Sequence, residues 1–167
     1  MAEMSSIPIS KEGYALMKKE LDDLKGQRPE VSEAIRIARE EGDLKENGGY
    51  HAARERQGLM EARINFIESR MHRYVIIDMK TLGGEKISFG ATVELEDAES
   101  GEKKRYILLG PDETGFCKGS VSILSPVGQA LLGKCEGDEV VINVPRGRVE
   151  YEVLSIEFNG PAISLDE

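Results

Sequence analysis

Two stretches of the chain repeat apolar residues at alternating steps of three and four. The first is Tyr14, Met17, Leu21, Leu24, Arg28, Val31, Ile35 and Ala38; the second is Tyr50, Ala53, Gln57, Met60, Ile64, Ile67, Met71 and Tyr74. A mean step of 3.5 residues is that of a coiled-coil seam, narrower than the stripe of an ordinary surface helix. Paired from the outside in, the two sets sum to 88 in every layer, so the chain folds back at residue 44. The pattern predicts an antiparallel helical hairpin. From a predicted N-cap at Ser10 to Gly42 the first arm has about thirty residues, a rod on the order of 45 Å long. Such a rod can carry its tip far from the rest of the chain. Two layers are polar, Arg28 opposite Met60 and Val31 opposite Gln57, and polar seam residues fix register at some cost in stability. Pro29 removes a helical hydrogen bond and crowds the preceding turn. The heptad phase nevertheless continues beyond it, which predicts a kink or short break between Gly26 and Pro29 rather than a new domain.

Past Tyr74 the period changes to two. Strands are predicted from Val75, at Ala91 to Glu96, Arg105 to Leu109, Val121 to Leu124, Glu139 to Val144 and Val149 to Phe158, separated by Gly, Asp and Pro turn signals. Asp97 to Glu102 and Pro145 to Gly147 read as hairpin connections. The last strand alternates as Val149, Tyr151, Val153 and then as Leu154, Ile156, Phe158, a phase shift that a β-bulge near Ser155 would produce. One short helix is predicted after Ser125, with Ser125 as N-cap, Pro126 in the first turn and Gly133 just past the end. The expected fold class is α+β: a coiled-coil hairpin over residues 1–78, then a small domain over 79–167 with a twisted antiparallel sheet, one short helix and a frayed tail at 159–167.

Composition narrows the function classes. The chain has 167 residues, 40% of them hydrophobic and none Trp. No apolar run approaches the roughly 20 residues that span a bilayer, and the N-terminus has no signal-sequence pattern, so no membrane partner and a cytoplasmic location are expected. Cys117 and Cys135 have no second Cys or His at metal-ligand spacing; neither zinc nor a disulfide is expected. Residues 1–78 carry a net charge of −2 and residues 79–167 a net charge of −7. The acidic second half is poorly suited to gripping a phosphate backbone and better suited to a protein partner. An acidic chain of this kind is expected to stay monomeric.

The fold-back segment Gly42 to Gly49 contains the candidate chemistry. It places the carboxylates Asp43 and Glu46 at the tip, with Leu44 at the apex and three glycines around them. One reading is a solvated hairpin loop. The other is a ligand pair for Mg²⁺, a hard cation that takes oxygen ligands in octahedral geometry. Two carboxylates cannot fill that shell, so the second reading requires a partner to supply the remaining ligands. Arg36, Arg39, Lys45, Arg54 and Arg56 surround the tip and could attract a single-stranded phosphate backbone, or could instead pair with Glu33, Glu40, Glu41 and Glu55 at helical spacing. Asn47 suits the N-cap of the second arm and Tyr50 its first packed layer. His51 and His72 stand at opposite ends of that arm and cannot share a metal.

The run Ala38-Arg39-Glu40-Glu41-Gly42-Asp43-Leu44-Lys45-Glu46-Asn47, followed by Tyr50-His51-Ala52-Ala53-Arg54-Glu55, resembles the Gre family of bacterial transcript cleavage factors. The likeness extends to Gly90-Ala91-Thr92-Val93, to Ser125-Pro126 and to Gly133, Lys134, Gly137 and Asp138, covering residues 7–158. It implies a coiled coil that enters the secondary channel of RNA polymerase and an FKBP-like second domain that docks on the channel rim. By the same resemblance, Asp43 and Glu46 are catalytic: they share the second, weakly bound Mg²⁺ of the polymerase and stimulate its intrinsic cleavage of backtracked RNA near the nascent 3′ end. The factor itself would not be an enzyme. Arg39 and Arg54 match an RNA-guiding basic patch, Leu44, Asn47 and Tyr50 support the tip, and Ser122 and Pro126 fall near the docking surface.

Two positions depart from the family pattern. Gly48 and Gly49 replace a small-plus-acidic pair, and Leu124 is apolar where relatives carry Asn or Asp. Three competing functions remain to be separated: a secondary-channel inhibitor that does not promote cleavage, a freestanding nuclease, and a prolyl isomerase. The nuclease is disfavoured by having only two carboxylates and no nearby His. The isomerase would need an aromatic-lined pocket, for which Tyr106, Phe116, Tyr151 and Phe158 are the available residues.

Overall fold

The computed structural model describes residues 6–42, 47–145 and 147–159. Asp43, Leu44, Lys45 and Glu46 lie outside the described residues, as does the predicted tail beyond Asn159. The chain divides into two compact units, one of Leu16–Arg73 and the other of the described residues up to Ala15 together with those from Tyr74 onward.

Three helices build the hairpin: α1 (Lys11–Gly26), α2 (Arg28–Glu40) and α3 (Gly48–Met71). The break expected between Gly26 and Pro29 is a single residue, Gln27, whose N–H donates to the carbonyls of Asp23 and Leu24 at 3.2 and 3.1 Å. Pro29 lies in the first turn of α2, where its missing N–H would have had no helical partner in any case. Leu21, Val31, Ile35 and Ala38 are buried on the first arm, and Met60, Ile64 and Ile67 on α3. Arg28 departs from the predicted seam. It is exposed and makes a two-pronged ion pair with Glu61, at 2.8 and 2.9 Å, while Gln27 is half-buried. The break lets the guanidinium stay in water, avoiding the large cost of burying an unpaired charge.

Ion pairs outside the seam repeat its antiparallel register. Glu20 and Glu30, each one residue before a buried Leu21 or Val31, meet Arg63 and Arg56 of α3. Lys25 meets Glu68 at 2.7 Å. Exposed pairs of this kind contribute little stability singly, but their complementary signs select the orientation of two packed helices.

In the other unit, β1 (Ile7–Ser10) runs parallel to β2 (Tyr74–Ile77), with Ile7 beside Tyr74 and Ser10 beside Ile77. The sequence did not indicate β1, because four residues directly before a helix carry too little alternation to register. Ser10 caps α1 as predicted, its Oγ accepting from Gly13 N at 3.0 Å. The outermost predicted layer is also present: the Tyr14 and Tyr74 rings meet edge-on at 6.1 Å.

The larger sheet contains β3 (Thr92–Asp97), β4 (Lys103–Leu109), β5 (Ser120–Ser122), β6 (Glu139–Val144) and β7 (Gly147–Glu157), in the order β5-β4-β3-β7-β6. It is mixed rather than wholly antiparallel as expected, because β5 lies parallel to β4. The two strands are joined by residues 110–119, which include a 3₁₀ turn at Thr114–Phe116. That is long enough to return the chain to the starting edge, which a tight hairpin cannot do. The predicted bulge is at Leu154: Glu94 pairs with Ser155 while Leu95 pairs with Val153. The helix α4 (Pro126–Leu131) adds Leu131 to a core of Val93, Leu95, Leu108, Val140, Ile142, Tyr151 and Val153. Among the described residues no helix is long and apolar enough to cross a membrane.

Candidate functional site at the hairpin tip

Glu41 and Gly42 on one side and Asn47 on the other flank the acidic segment. On the outgoing arm the Glu41 N–H donates to Ala38 O at 3.3 Å, closing α2. Gly42 follows with φ of +142°, a conformation that residues with a Cβ rarely adopt. On the returning arm Asn47 is the N-cap of α3, its Oδ1 accepting from Tyr50 N at 3.0 Å. The other end of the same amide, Nδ2, donates to Ala38 O. One side chain therefore ties the C-terminus of α2 to the N-terminus of α3, the two helices that flank Asp43 and Glu46 in the sequence. Spacing predicted the cap but not the second bond, which requires the two helix ends to be side by side.

The glycines after Asn47 differ in their surroundings. A Cβ at Gly48 would meet open space, whereas one at Gly49 would approach Asn47 Oδ1 at 3.3 Å. Gly49 thus leaves the capping oxygen uncrowded.

The basic residues divide into two groups. Arg36 is engaged by its own helix, bonding Glu33 through Nε at 2.9 Å and Glu40 through Nη1 at 2.8 Å. The Arg36 hydrogen bond holds the Glu33 carboxyl below its usual range, and Glu33 in turn raises the Arg36 guanidinium. Arg56 reaches across the hairpin to Glu30 at 3.4 Å. Arg39 and Arg54 are exposed and, among the described residues, neither has an ion pair. Arg39 lies over the Tyr50 ring, 5.7 Å from its centroid, and Arg54 donates to Gln57 at 3.1 Å. Both contacts orient a guanidinium without neutralising it. Tyr50, half-buried and edge-on to His51, is the platform for Arg39.

The second cluster of predicted residues surrounds the start of α4. Ser122 Oγ accepts from Leu124 N at 3.0 Å, and Ser122 O accepts from Ser125 Oγ at 2.7 Å. Ser125 Oγ caps α4 by accepting from Gly128 N at 3.1 Å. A Cβ at Gly128 would lie 2.1 Å from Ser122 O, so the helix start can sit this close to β5 only with glycine there. The turn leaves Pro126 exposed and Leu124 61% exposed, an apolar residue presented to solvent.

Comparison with known proteins gives a consistent result. The chain is 66% identical over 158 residues to the transcription elongation factor GreA of Maridesulfovibrio salexigens, covering 95% of this chain and 99% of that protein. It is 60% identical over 164 residues to the GreA of Solidesulfovibrio magneticus, covering 98% of this chain and all of that one. A crystal structure of GreA factor homolog 1 from Thermus thermophilus is similar at 30% identity, covering 91% of this chain and 99% of that one, with a TM-score of 0.42. Residues 7–76 match the family model described as transcription elongation factor, N-terminal, and residues 82–158 the one described as transcription elongation factor, GreA/GreB, C-term. The chain belongs to the GreA/GreB family of transcription elongation factors.

Proposed function

We propose that this elongation factor binds RNA polymerase, inserts its helical hairpin into the secondary channel and stimulates the polymerase's own cleavage of backtracked RNA. The observation that carries this reading is the Asn47 clamp: one amide joins the end of α2 to the start of α3, the two helices that flank the acidic segment in sequence, as a support for a presented pair of carboxylates should. Asp43 and Glu46 are the pair in question. Their donor set fits Mg²⁺ in kind, since both offer carboxylate oxygens. It is short in number, since two carboxylates cannot fill an octahedral shell. Asp43 and Glu46 would therefore hold Mg²⁺ jointly with polymerase groups. When bound there, Mg²⁺ supplies Lewis-acid stabilisation of the scissile phosphodiester.

The chain's own contribution is delivery and orientation. Arg39 and Arg54, exposed and without carboxylate partners among the described residues, would attract the phosphates of the RNA 3′ segment. Leu44, between Asp43 and Glu46 in the sequence, would support the presented pair. The surface formed by Ser122, Leu124 and Pro126 would dock on the rim of the channel.

The test is a halted, backtracked elongation complex with Mg²⁺, in which RNA length is followed after the factor is added. Short 3′ fragments and resumed synthesis are expected. Blocked synthesis without cutting would replace this reading with that of a channel inhibitor, and cutting without polymerase would replace it with that of a nuclease.

A further inference from the structure

Glu113, in the loop after β4, is fully buried, and nothing in the proposed reaction uses it. Its Oε2 accepts from Ser10 N and from Gly110 N, both at 3.0 Å, and its Oε1 makes a short hydrogen bond with Ser10 Oγ. Ser10 Oγ in turn caps α1 through Gly13 N. The surroundings leave no slack. A Cβ at Gly13 would lie 2.6 Å from Glu113 Oε1, and one at Gly110 would lie 2.0 Å from Pro8 O. One carboxyl thus joins the end of β1, the first turn of α1 and the loop after β4.

We propose that Glu113 is a proton-operated latch that ties the root of α1 to the loop after β4 and holds more firmly as the pH falls. Among the described residues no cation pairs with it. Titratable groups on the surrounding elements include Glu12 and Tyr14 of α1, Tyr74 of β2 and, in its own loop, Cys117, Lys118 and Asp112, the last accepting from the Tyr74 hydroxyl at 2.8 Å. The exposed Lys11 precedes Glu12. Glu12 has a buried Oε2 with no hydrogen-bond partner among the described residues, so a second carboxylate oxygen near the latch is also poorly solvated. Ionised, Glu113 receives three hydrogen bonds but remains a buried charge. Protonated, it can reverse the Ser10 contact and donate to Ser10 Oγ, which keeps a lone pair for Gly13 N. The contacts to Ser10 and Gly110 are retained and the buried charge is gone, with the Ser10 hydroxyl proton turned away from Glu113.

Burial raises the Glu113 carboxyl above its ordinary range, opposed by the bonds from Ser10 and Gly110 and reinforced by Glu12. A carboxyl raised in the closed state binds a proton more tightly there than in the open state. Its stabilising contribution is complete below the ordinary carboxylate range and is lost as pH rises through the raised value. The root of α1, where this helix begins its run to Gly26, therefore opens more readily at higher pH.

Carboxyl ¹³C NMR titration of the wild-type chain should place the Glu113 midpoint above that of an exposed glutamate, and Ser10→Ala, which removes a donor to the charged form, should raise it further. Amide exchange at Gly13 should show the ratio of opening in the wild type to that in Glu113→Gln increasing with pH, by up to about tenfold per pH unit, the limit for one proton. A midpoint at or below the ordinary value, a Ser10→Ala midpoint that does not rise, or a ratio that is flat or falls with pH would overturn the proposal. The titration needs no Glu113 variant, so it remains decisive if Glu113→Gln fails to fold.

Discussion

Asn47 and Glu113 show what single side chains contribute beyond their local motif. Asn47→Ala removes both the α3 cap and the bond to Ala38 O. We predict a loss of about 1–2 kcal/mol in urea unfolding, the range for a lost N-cap. Asn47→Asp, which can accept from Tyr50 N but cannot donate to Ala38 O, should recover part of that loss. Glu113→Ala would leave the Ser10 and Gly110 N–H groups buried without a partner. A loss of about 2–4 kcal/mol at neutral pH is expected, against a smaller loss for Glu113→Gln, which keeps an acceptor in place. The caps Ser10, Asn47 and Ser125 were legible because capping is a local chemistry with fixed spacing. Glu113 was not: in the run Pro111-Asp112-Glu113-Thr114 it looks like one more solvated turn residue, and its partner Ser10 is 103 positions away.

At the scale of elements, the 3.5-residue period identified the seam: its outer layer is present where Tyr14 meets Tyr74, and Leu21, Val31, Ile35, Ala38, Met60, Ile64 and Ile67 are buried as expected. Arg28 was misplaced because heptad counting assumes continuous helix, and the single-residue break at Gln27 interrupts it. The two cases separate in a denaturation experiment. Ile64→Ala empties a fully buried seam position and should cost about 2–5 kcal/mol. Arg28→Leu acts on an exposed position and should shift stability by no more than about 0.5 kcal/mol. In the sheet, the phase shift at Val153 and Leu154 revealed the bulge, since a one-residue insertion moves side chains to the opposite face. The parallel direction of β5 was not readable, because a period of two reports which face a residue takes and not which way the strand runs.

For the whole molecule, the acidic motif from Ala38 to Glu55 was the most informative stretch, and the family models over residues 7–76 and 82–158 agree with it. Which arginines remain without a carboxylate was not legible. Helical spacing puts no carboxylate three or four residues from Arg56, and only the register of the hairpin brings Glu30 to it. The guiding role proposed for Arg39 and Arg54 belongs to this scale, since it concerns an RNA held by a partner. Arg39→Ala with Arg54→Ala should slow cleavage several-fold at low ionic strength, with the difference from wild type narrowing as added salt screens the phosphates. Equal salt dependence in rate measurements of the two proteins would remove the arginines from that role.

The central claim is that Asp43 and Glu46 complete a Mg²⁺ site whose other half belongs to polymerase. The most direct measurement is the cleavage rate of a backtracked complex as a function of Mg²⁺ concentration, with no factor, with wild type, and with Asp43→Asn or Glu46→Gln at saturating factor. Wild type should reach half-maximal cleavage at a lower Mg²⁺ concentration than polymerase alone. Each variant, while still competing with wild type for polymerase, should return the curve toward that of polymerase alone. Variants that retain the wild-type Mg²⁺ dependence would contradict the account.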